Sequence, residues 1–158
     1  MSLRVWRICN AKWAATAMDG QGAKTFGGRW NPIGVAVVYT SSSLALAAFE
    51  LLVHLGVRAT PKPLIAIPVD IPEEISIESV QQGQLPNNWR DDPPPLILAD
   101  IGKRWIGSGQ SAVQRVPSAV IDEEWNYLLN PQHPDFTQIE IGKAKPFGFD
   151  ARLFHSDG

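Results

Sequence analysis

The amino-acid sequence predicts an α+β fold, a compact and mostly antiparallel split sheet with helices packed around it. Short runs rich in β-branched and aromatic residues alternate with Pro, Gly and Asn, which is typical of strands joined by turns. Two longer segments, residues 44–55 and 96–107, favour helices. With 158 residues and 44% hydrophobic content, the chain is long enough for one domain with a real core. We predict a single domain over residues 1–158, with a frayed tail at 155–158.

The charge balance and the cysteine count limit the classes of function. The net charge is −2, so no overall basic field attracts nucleic acid or a membrane. The single cysteine, Cys9, excludes an intramolecular disulfide and fits a reducing cytoplasm. The sequence shows no transmembrane run and no signal peptide at its N-terminus. We therefore expect a cytoplasmic protein that binds neither nucleic acid nor membrane directly.

Most of the strand signals are short, and one of them contains a proline. Pro68 indicates an edge position or a bulge in its strand. Asn31 to Gly34 fits a type I turn, with Asn first, Pro second and Gly fourth. The strands are predicted at residues 4–8, 35–40, 64–71, 75–80 and within 111–121, with one or two more after residue 139.

The glycine-rich segment at residues 19–28 does not fit a known phosphate-binding loop. A Walker A loop needs Gly-Lys, but Ala23 separates Gly22 from Lys24, and a dinucleotide fingerprint needs glycine where Thr25 stands. We expect an irregular, flexible lid here. The histidines are too scattered for a metal site, so none is predicted.

The predicted helix at residues 44–55 carries one carboxylate, Glu50, in an otherwise apolar body that also contains His54. Serines precede it as N-caps and Gly56 follows as a C-cap. A helix that is apolar all round is a buried helix. A glutamate there needs a partner or a raised pKa, and catalytic carboxylates are made in the same way. Glu50 is therefore either a catalytic group, a residue at a partly wet edge, or one half of an ion pair with Arg29.

Arg29 and Tyr39 lie close to this helix in sequence. Gly27 and Gly28 let the backbone come close to a ligand, and a guanidinium beside them suits bidentate phosphate binding. Tyr39 ends a predicted strand just before the helix. The strand end and the helix interior that carries Glu50 can therefore face one cleft.

Four motifs resemble the RES domain family: GGRWNPIG, VVYTSSSLALAAFELLVHL, RVPSAV and EWNYLLNPQHPDF. The family is named for an arginine, a glutamate and a serine, which match Arg29, Glu50 and Ser118 here. The resemblance runs from about Trp6 to Arg152, nearly the whole chain.

This resemblance implies an ADP-ribosyltransferase-like fold and a toxin that consumes NAD. It implies that Arg7 and Arg29 bind the NAD phosphates, that Tyr39 stacks on nicotinamide, that Glu50 drives cleavage and that Ser118 completes the pocket. Glu50, Arg29 and Tyr39 are thus the expected catalytic residues, and NAD is a substrate rather than a cofactor. The implied partner is an Xre-type helix-turn-helix antitoxin of a type II toxin–antitoxin system, with a possible homodimer or larger assembly.

Ser118 has a simpler reading from its neighbours alone. A serine after a proline usually makes a local turn hydrogen bond. No base stands beside it in sequence, so we do not expect a nucleophile. A hydrogen bond to the substrate or to Glu50 is the more economical role.

An arginine for phosphate, an aromatic ring and one carboxylate suit cleavage of the N-glycosidic bond of a nucleotide, because the carboxylate stabilises a cationic ribose. Hydrolysis, phosphorolysis and ADP-ribosylation of a protein share this first step. A non-catalytic nucleotide-binding module and a purely structural partner-binding domain are the competing classes of function.

Overall fold

A computed structural model describes residues 1–56 and 62–154; the tail predicted at 155–158 lies outside them. The strands are β1 Ser2–Asn10, β2 Val38–Ser41, β3 Leu64–Pro72, β4 Ile77–Ser79, β5 Val113–Pro117, β6 Trp125–Leu129, β7 Glu140–Ile141 and β8 Lys145–Phe147. The α-helices are α1 Gln21–Phe26, α2 Leu44–Leu55 and α3 Leu96–Ser108. Short 3-10 helices lie at Ala11–Thr16, Gln82–Gln84, Pro134–Gln138 and Ala151–Phe154. In this part of the chain, no helix is long and apolar enough to cross a membrane.

The strands form one sheet in the order β4-β5-β6-β2-β1-β3-β7, and β8 also pairs with β3. Every pairing is antiparallel except that of β4 with β5. Apolar side chains cover both faces, and α3 packs on one of them. The predicted α+β fold with a mostly antiparallel sheet and packed helices is confirmed.

Pro68 is not in an edge strand, but it lies opposite a bulge, so only the edge alternative of the prediction is wrong. Between the β7 and β8 pairings, three residues of the partner segment, 142–144, face two residues of β3, 67 and 68. Pro68 lies inside β3 and pairs with Trp6 of β1 in an unbroken register. On its other side it falls between the residues that pair with β8 and those that pair with β7. Its carbonyl there accepts a hydrogen bond from Gly142 N–H at 2.8 Å. The missing proline N–H therefore faces a gap in the ladder.

The turn before β2 is shifted by one residue from the prediction. Val35 N–H donates to Pro32 O, and Gly34, the third turn residue, has a φ of 98°. A positive φ at this place is the mark of a type II turn, not of the type I turn predicted over Asn31–Gly34. The Asn31 amide is engaged elsewhere, and β2 begins only at Val38.

The glycine-rich segment contains a helix where an irregular lid was expected. Asp19 Oδ1 accepts a hydrogen bond from Gln21 N–H at 2.9 Å as α1 begins. Gly27, with a φ of 73°, ends the helix. Residues 19–28 therefore hold regular structure beside the cleft described below.

The ends of α2 are as predicted, but its burial is not. Ser43 caps the first turn by accepting from Leu46 N–H at 3.0 Å, and Gly56 follows the last turn. Phe49 and Val53 are 44% and 56% exposed. One face of α2 packs on β1 and β2 while another faces a cleft. An all-apolar composition therefore wrongly predicted burial on every side.

Replacing Gly102 with Ala should destabilise the fold. Gly102 is in the middle of α3, and a methyl group there would overlap the backbone carbonyl of Trp30. We expect a loss of about 3 kcal/mol in the free energy of unfolding, measured by urea titration. Gly107→Ala is the control, because Gly107 lies in the same helix with open space around it. It should instead stabilise by about 0.5–1 kcal/mol, and equal effects of the two changes would refute the close packing.

Candidate active site

Glu50 lies in the middle of α2, partly buried, and one of its oxygens is held by two side chains. Ser118 Oγ donates to Glu50 Oε1 at 2.9 Å, and Asn126 Nδ2 donates to the same oxygen at 2.8 Å. Burial raises the pKa of the Glu50 carboxyl, and the nearby charge of Glu124 raises it further. The hydrogen bonds from Asn126 and Ser118 act in the opposite direction on this pKa. Burial and hydrogen bonding together make Glu50 a carboxylate with a tuned environment, as at many catalytic sites.

Ser118 is fully buried, so it does not form part of a cleft wall. Its hydroxyl oxygen accepts from the N–H groups of Val120 and Ile121, both at 3.1 Å, and its proton goes to Glu50. The local turn hydrogen bonds and the bond to Glu50, both considered from sequence, are present together. The expected direct contact with a substrate is not supported by this burial, and Ser118 reaches the cleft only through Glu50.

Asn126 was missed by the sequence analysis. It lies on β6 opposite Ser41 of β2, and it is buried. The only signal in the sequence is one amide inside the apolar run WNYLL. Its importance depends on strand pairing, which brings it to Glu50 from 76 residues away.

Arg29 does not pair with Glu50 in the described part of the chain. Its Nη1 donates to Trp89 O at 2.7 Å and to Asp91 O at 3.0 Å. Partial burial lowers the pKa of Arg29, while the charges of Asp92 and other neighbours raise it. The Arg29–Glu50 ion pair, one of the alternatives considered from the sequence, is therefore absent, and Arg29 instead holds the segment 86–95 beside the cleft.

Tyr39 is fixed by its hydroxyl group. The phenol donates to Asn31 Oδ1 at 2.6 Å and accepts from Trp30 N–H at 3.1 Å. Burial raises the pKa of the Tyr39 hydroxyl far above its usual value, so the phenol stays neutral. A methyl group at Gly28 would come within 2.6 Å of this hydroxyl, which explains the need for glycine before Arg29. The ring is thus held in place while its hydroxyl is already engaged.

Arg7 projects from β1 into the same region. Its Nη1 donates to Tyr39 O at 3.2 Å, while its buried Nε has no hydrogen-bond partner among the described residues. Burial lowers the pKa of Arg7. A buried guanidinium with an unused donor is well suited to an anionic ligand.

Three adjacent cavities connect these side chains. The largest, about 610 Å³, is lined by Glu50, Arg29 and Tyr39 together with Asn126. A second of about 490 Å³ is lined by Arg7 and again by Arg29 and Tyr39, and a third of about 190 Å³ by Arg7, Tyr39 and Glu50. The structure thus brings together four of the five predicted site residues on shared cavity walls. A cleft with cations and a hydrogen-bonded carboxylate suits a ligand whose phosphate groups lie at one end and whose reacting bond lies at the other.

The rim of the largest cavity contains further residues that sequence reasoning did not identify. Arg90 and Asp92 line it, and Arg90 donates to the carbonyls of Ala119 and Val120 at 2.9 and 3.2 Å. In the segment 86–95, the buried ring of Trp89 anchors the chain to the core, and Arg90 ties it to the turn after Ser118. In the described residues, no group of three side chains is placed to bind a metal ion.

The RES domain family model matches residues 4–150. The "Prs ADP-ribosylating toxin" of Sphingobium sp. (strain YBL2) is 37% identical, with 97% of this chain and 98% of the relative aligned. A "Toxin Res" of Yersinia enterocolitica is 39% identical, with 96% and 99% aligned. The Mycobacterium tuberculosis MbcT–MbcA toxin–antitoxin complex contains a similar fold, with a TM-score of 0.77 at 17% identity over 93% of this chain and 85% of that chain.

The fold, the cleft and these matches define a protein of the RES toxin class. The chain belongs to the RES domain family, as its sequence motifs indicated.

Glu50→Gln should make the protein more stable at neutral pH. Because the pKa of Glu50 is raised in the folded state, the ionised carboxylate opposes folding. This opposition grows as the pH rises above the ordinary glutamate pKa of about 4.3 and vanishes below it. Urea unfolding of both proteins between pH 4 and 8 measures the difference. Glu123→Gln, at an exposed carboxylate, is the matched control. A parent protein that is more stable than Glu50→Gln at pH 7 would contradict the raised pKa.

Proposed function

We propose that this chain is the toxin of a type II toxin–antitoxin system and that it depletes NAD by cleaving the nicotinamide–ribose bond. The main observation in support is Glu50, a partly buried carboxylate in cavities that it shares with Arg29, Arg7 and Tyr39. Membership of the RES family and relatives that are named toxins support the same class of activity.

The proposed reaction requires stabilisation of a positive charge. When the bond between nicotinamide and ribose breaks, both electrons leave with nicotinamide, which departs as a neutral ring. The ribose carbon becomes cationic and oxocarbenium-like, and a nearby carboxylate stabilises it. Glu50 is the carboxylate in the cleft that a protein hydrogen-bond network already holds in place.

The cations of the cleft fit the other end of the substrate. In this proposal Arg7 and Arg29 bind the diphosphate of NAD. Arg7 can donate from its Nε, which has no partner in the described residues, and Arg29 can donate from the N–H groups other than Nη1. Tyr39 supplies an aromatic face for the nicotinamide ring. NAD is then the substrate, and the proposed step uses no additional cofactor.

Water or inorganic phosphate is the acceptor in our preferred version of the reaction, so that free NAD is consumed. A second candidate is transfer of ADP-ribose to a protein. It is favoured by the relative from Sphingobium, whose name describes an ADP-ribosylating toxin and which is 37% identical over nearly the whole chain. Both versions use Glu50 in the same way and differ only in what attacks the ribose.

An antitoxin partner follows from the same proposal. We expect an Xre-type helix-turn-helix protein that blocks the cleft near Arg29 and forms a larger assembly with the toxin. The structural similarity to a toxin from a toxin–antitoxin complex supports such an arrangement. A complex in which the mouth of the cleft stays open would argue against it.

The purified protein should consume NAD, and Glu50→Gln should lower the rate at least about 100-fold, because it removes the charge that stabilises the cationic ribose. Product masses in buffers with and without phosphate measure both the rate and the acceptor. ADP-ribose alone indicates hydrolysis, and a phosphorylated ADP-ribose formed only with phosphate indicates phosphorolysis.

Glu123→Gln is the matched control for this experiment, since it removes an exposed carboxylate outside the cleft and should keep the parent rate. A Glu50→Gln protein that consumes NAD as fast as the parent would refute the proposed chemistry. If the purified parent does not consume NAD on its own but labels a protein in a cell extract with ADP-ribose, the acceptor is a protein, as in the second candidate.

A further inference from the structure

The two oxygens of Glu50 have different surroundings. Oε1 accepts hydrogen bonds from both Ser118 and Asn126, whereas Oε2 receives none from the residues that the structure describes. Glu50 also lines two of the cavities. One oxygen is therefore engaged by the protein, and the other is available to a ligand.

The donors of Asn126 are fixed by the sheet. Its Nδ2 donates to Glu50 Oε1 at 2.8 Å and to Ser41 Oγ at 3.1 Å, with Thr40 O a longer contact at 3.4 Å. The backbone of Asn126 pairs with Ser41 on one side and with Val116 on the other. The amide is thus held between two neighbouring strands in the interior of the sheet, where it has little freedom to turn.

The donor of Ser118 is fixed in a different way. Because its oxygen already accepts from two backbone N–H groups, its single proton is left for Glu50. Two independent elements, β6 and the turn after β5, therefore converge on one oxygen atom. A carboxylate that served only to fill space would not need two donors on the same oxygen.

We propose that Asn126 is a positioning residue for Glu50: together with Ser118 it fixes Oε1 and thereby makes Oε2 the oxygen that meets the ribose of the substrate. This inference rests on the proposed function for the identity of the substrate, but the positioning itself can be tested without it. Asn126 acts through Glu50 and is assigned no bond-breaking step.

A hydrogen bond to an ionised carboxylate favours the ionised form. Loss of the Asn126 donor should therefore raise the pKa of Glu50, in the direction in which burial already acts. The other charged or titratable groups close to Glu50 stay the same in such a variant. They are Glu124, which raises the same pKa, and the groups that line the shared cavities, Arg7, Arg29, Tyr39, His54, Arg90 and Asp92.

Asn126→Ala removes the donor without adding charge, and Asn126→Asp replaces it by a carboxylate of the same shape. Asn130→Asp is the matched control. Asn130 is also buried, directly after the same strand ends at Leu129, and Asp would keep the oxygen that accepts from Gln132 N–H. Circular dichroism and urea unfolding show which variants fold. If Asn126→Asp does not fold, Asn126→Ala alone is used for the test.

The first readout is the titration of the Glu50 carboxyl carbon by NMR in protein labelled with ¹³C-glutamate, assigned with Glu50→Gln. The inference predicts that the titration moves to higher pH in Asn126→Ala and further in Asn126→Asp, with no change in Asn130→Asp. An unchanged titration in Asn126→Ala would overturn the inference, whether or not the parent consumes NAD.

The second readout is NAD consumption. We expect kcat to fall about 10- to 100-fold in Asn126→Ala with KM little changed, and the acid limb of the pH profile to move to higher pH. A fall in kcat without any shift of the acid limb or of the Glu50 titration would show a merely structural role and would contradict the inference. A parent that never consumes NAD refutes the proposed function alone, because the NMR titration still decides the positioning.

Discussion

Desolvation of the Glu50 carboxylate is the constraint around which the cleft is built. Removing such a group from water is costly unless hydrogen bonds replace its hydration. Here the replacement comes from Asn126 and Ser118, which lie 76 and 68 residues further along the chain. Since β5, β6 and β2 are adjacent in the sheet and α2 follows β2, the order of the strands delivers both donors to the helix. The strand order of the fold therefore produces the hydrogen-bonded environment of the carboxylate.

Neither Arg29 nor Arg7 forms an ion pair with this carboxylate in the described part of the chain. Arg29 is anchored to backbone carbonyls of the segment 86–95, and Arg7 donates to the backbone carbonyl of Tyr39. The tyrosine hydroxyl in turn fixes the corner formed by Trp30 and Asn31, against which Gly102 of α3 packs without a side chain. A direct pair between arginine and glutamate would have neutralised both. Without that pair, the proposed reaction has cations for phosphate groups and an anion for a cationic ribose.

Local signals in the sequence were sufficient for much of the framework. The caps of α2, the extent of α3 and the positions of most strands follow from residues that are neighbours in sequence. The motifs also identified Arg29 and Glu50, which do line one cavity. Asn126 could not be found in this way, because one amide in an apolar strand has no meaning until its strand partners are known.

The wrong predictions have the same physical origin. Of the two alternatives for Pro68, the edge was wrong because the partners on both sides of β3 cannot be read from β3 alone. The apolar composition of α2 suggested burial on all sides, although one face borders the cleft. The Arg29–Glu50 pair was plausible from charge alone, but backbone carbonyls 60 and 62 residues away are the actual partners of Arg29. Each error concerns contacts with residues that are distant in the sequence.

The most direct test of the central claim is a crystal structure of Glu50→Gln soaked with NAD, since the slowed variant should retain the intact substrate. The proposed chemistry predicts the nicotinamide ribose within hydrogen-bond distance of the side chain at position 50 and the diphosphate against Arg7 and Arg29. NAD bound with its ribose away from position 50, or no NAD in the cleft at concentrations that the parent consumes, would contradict it.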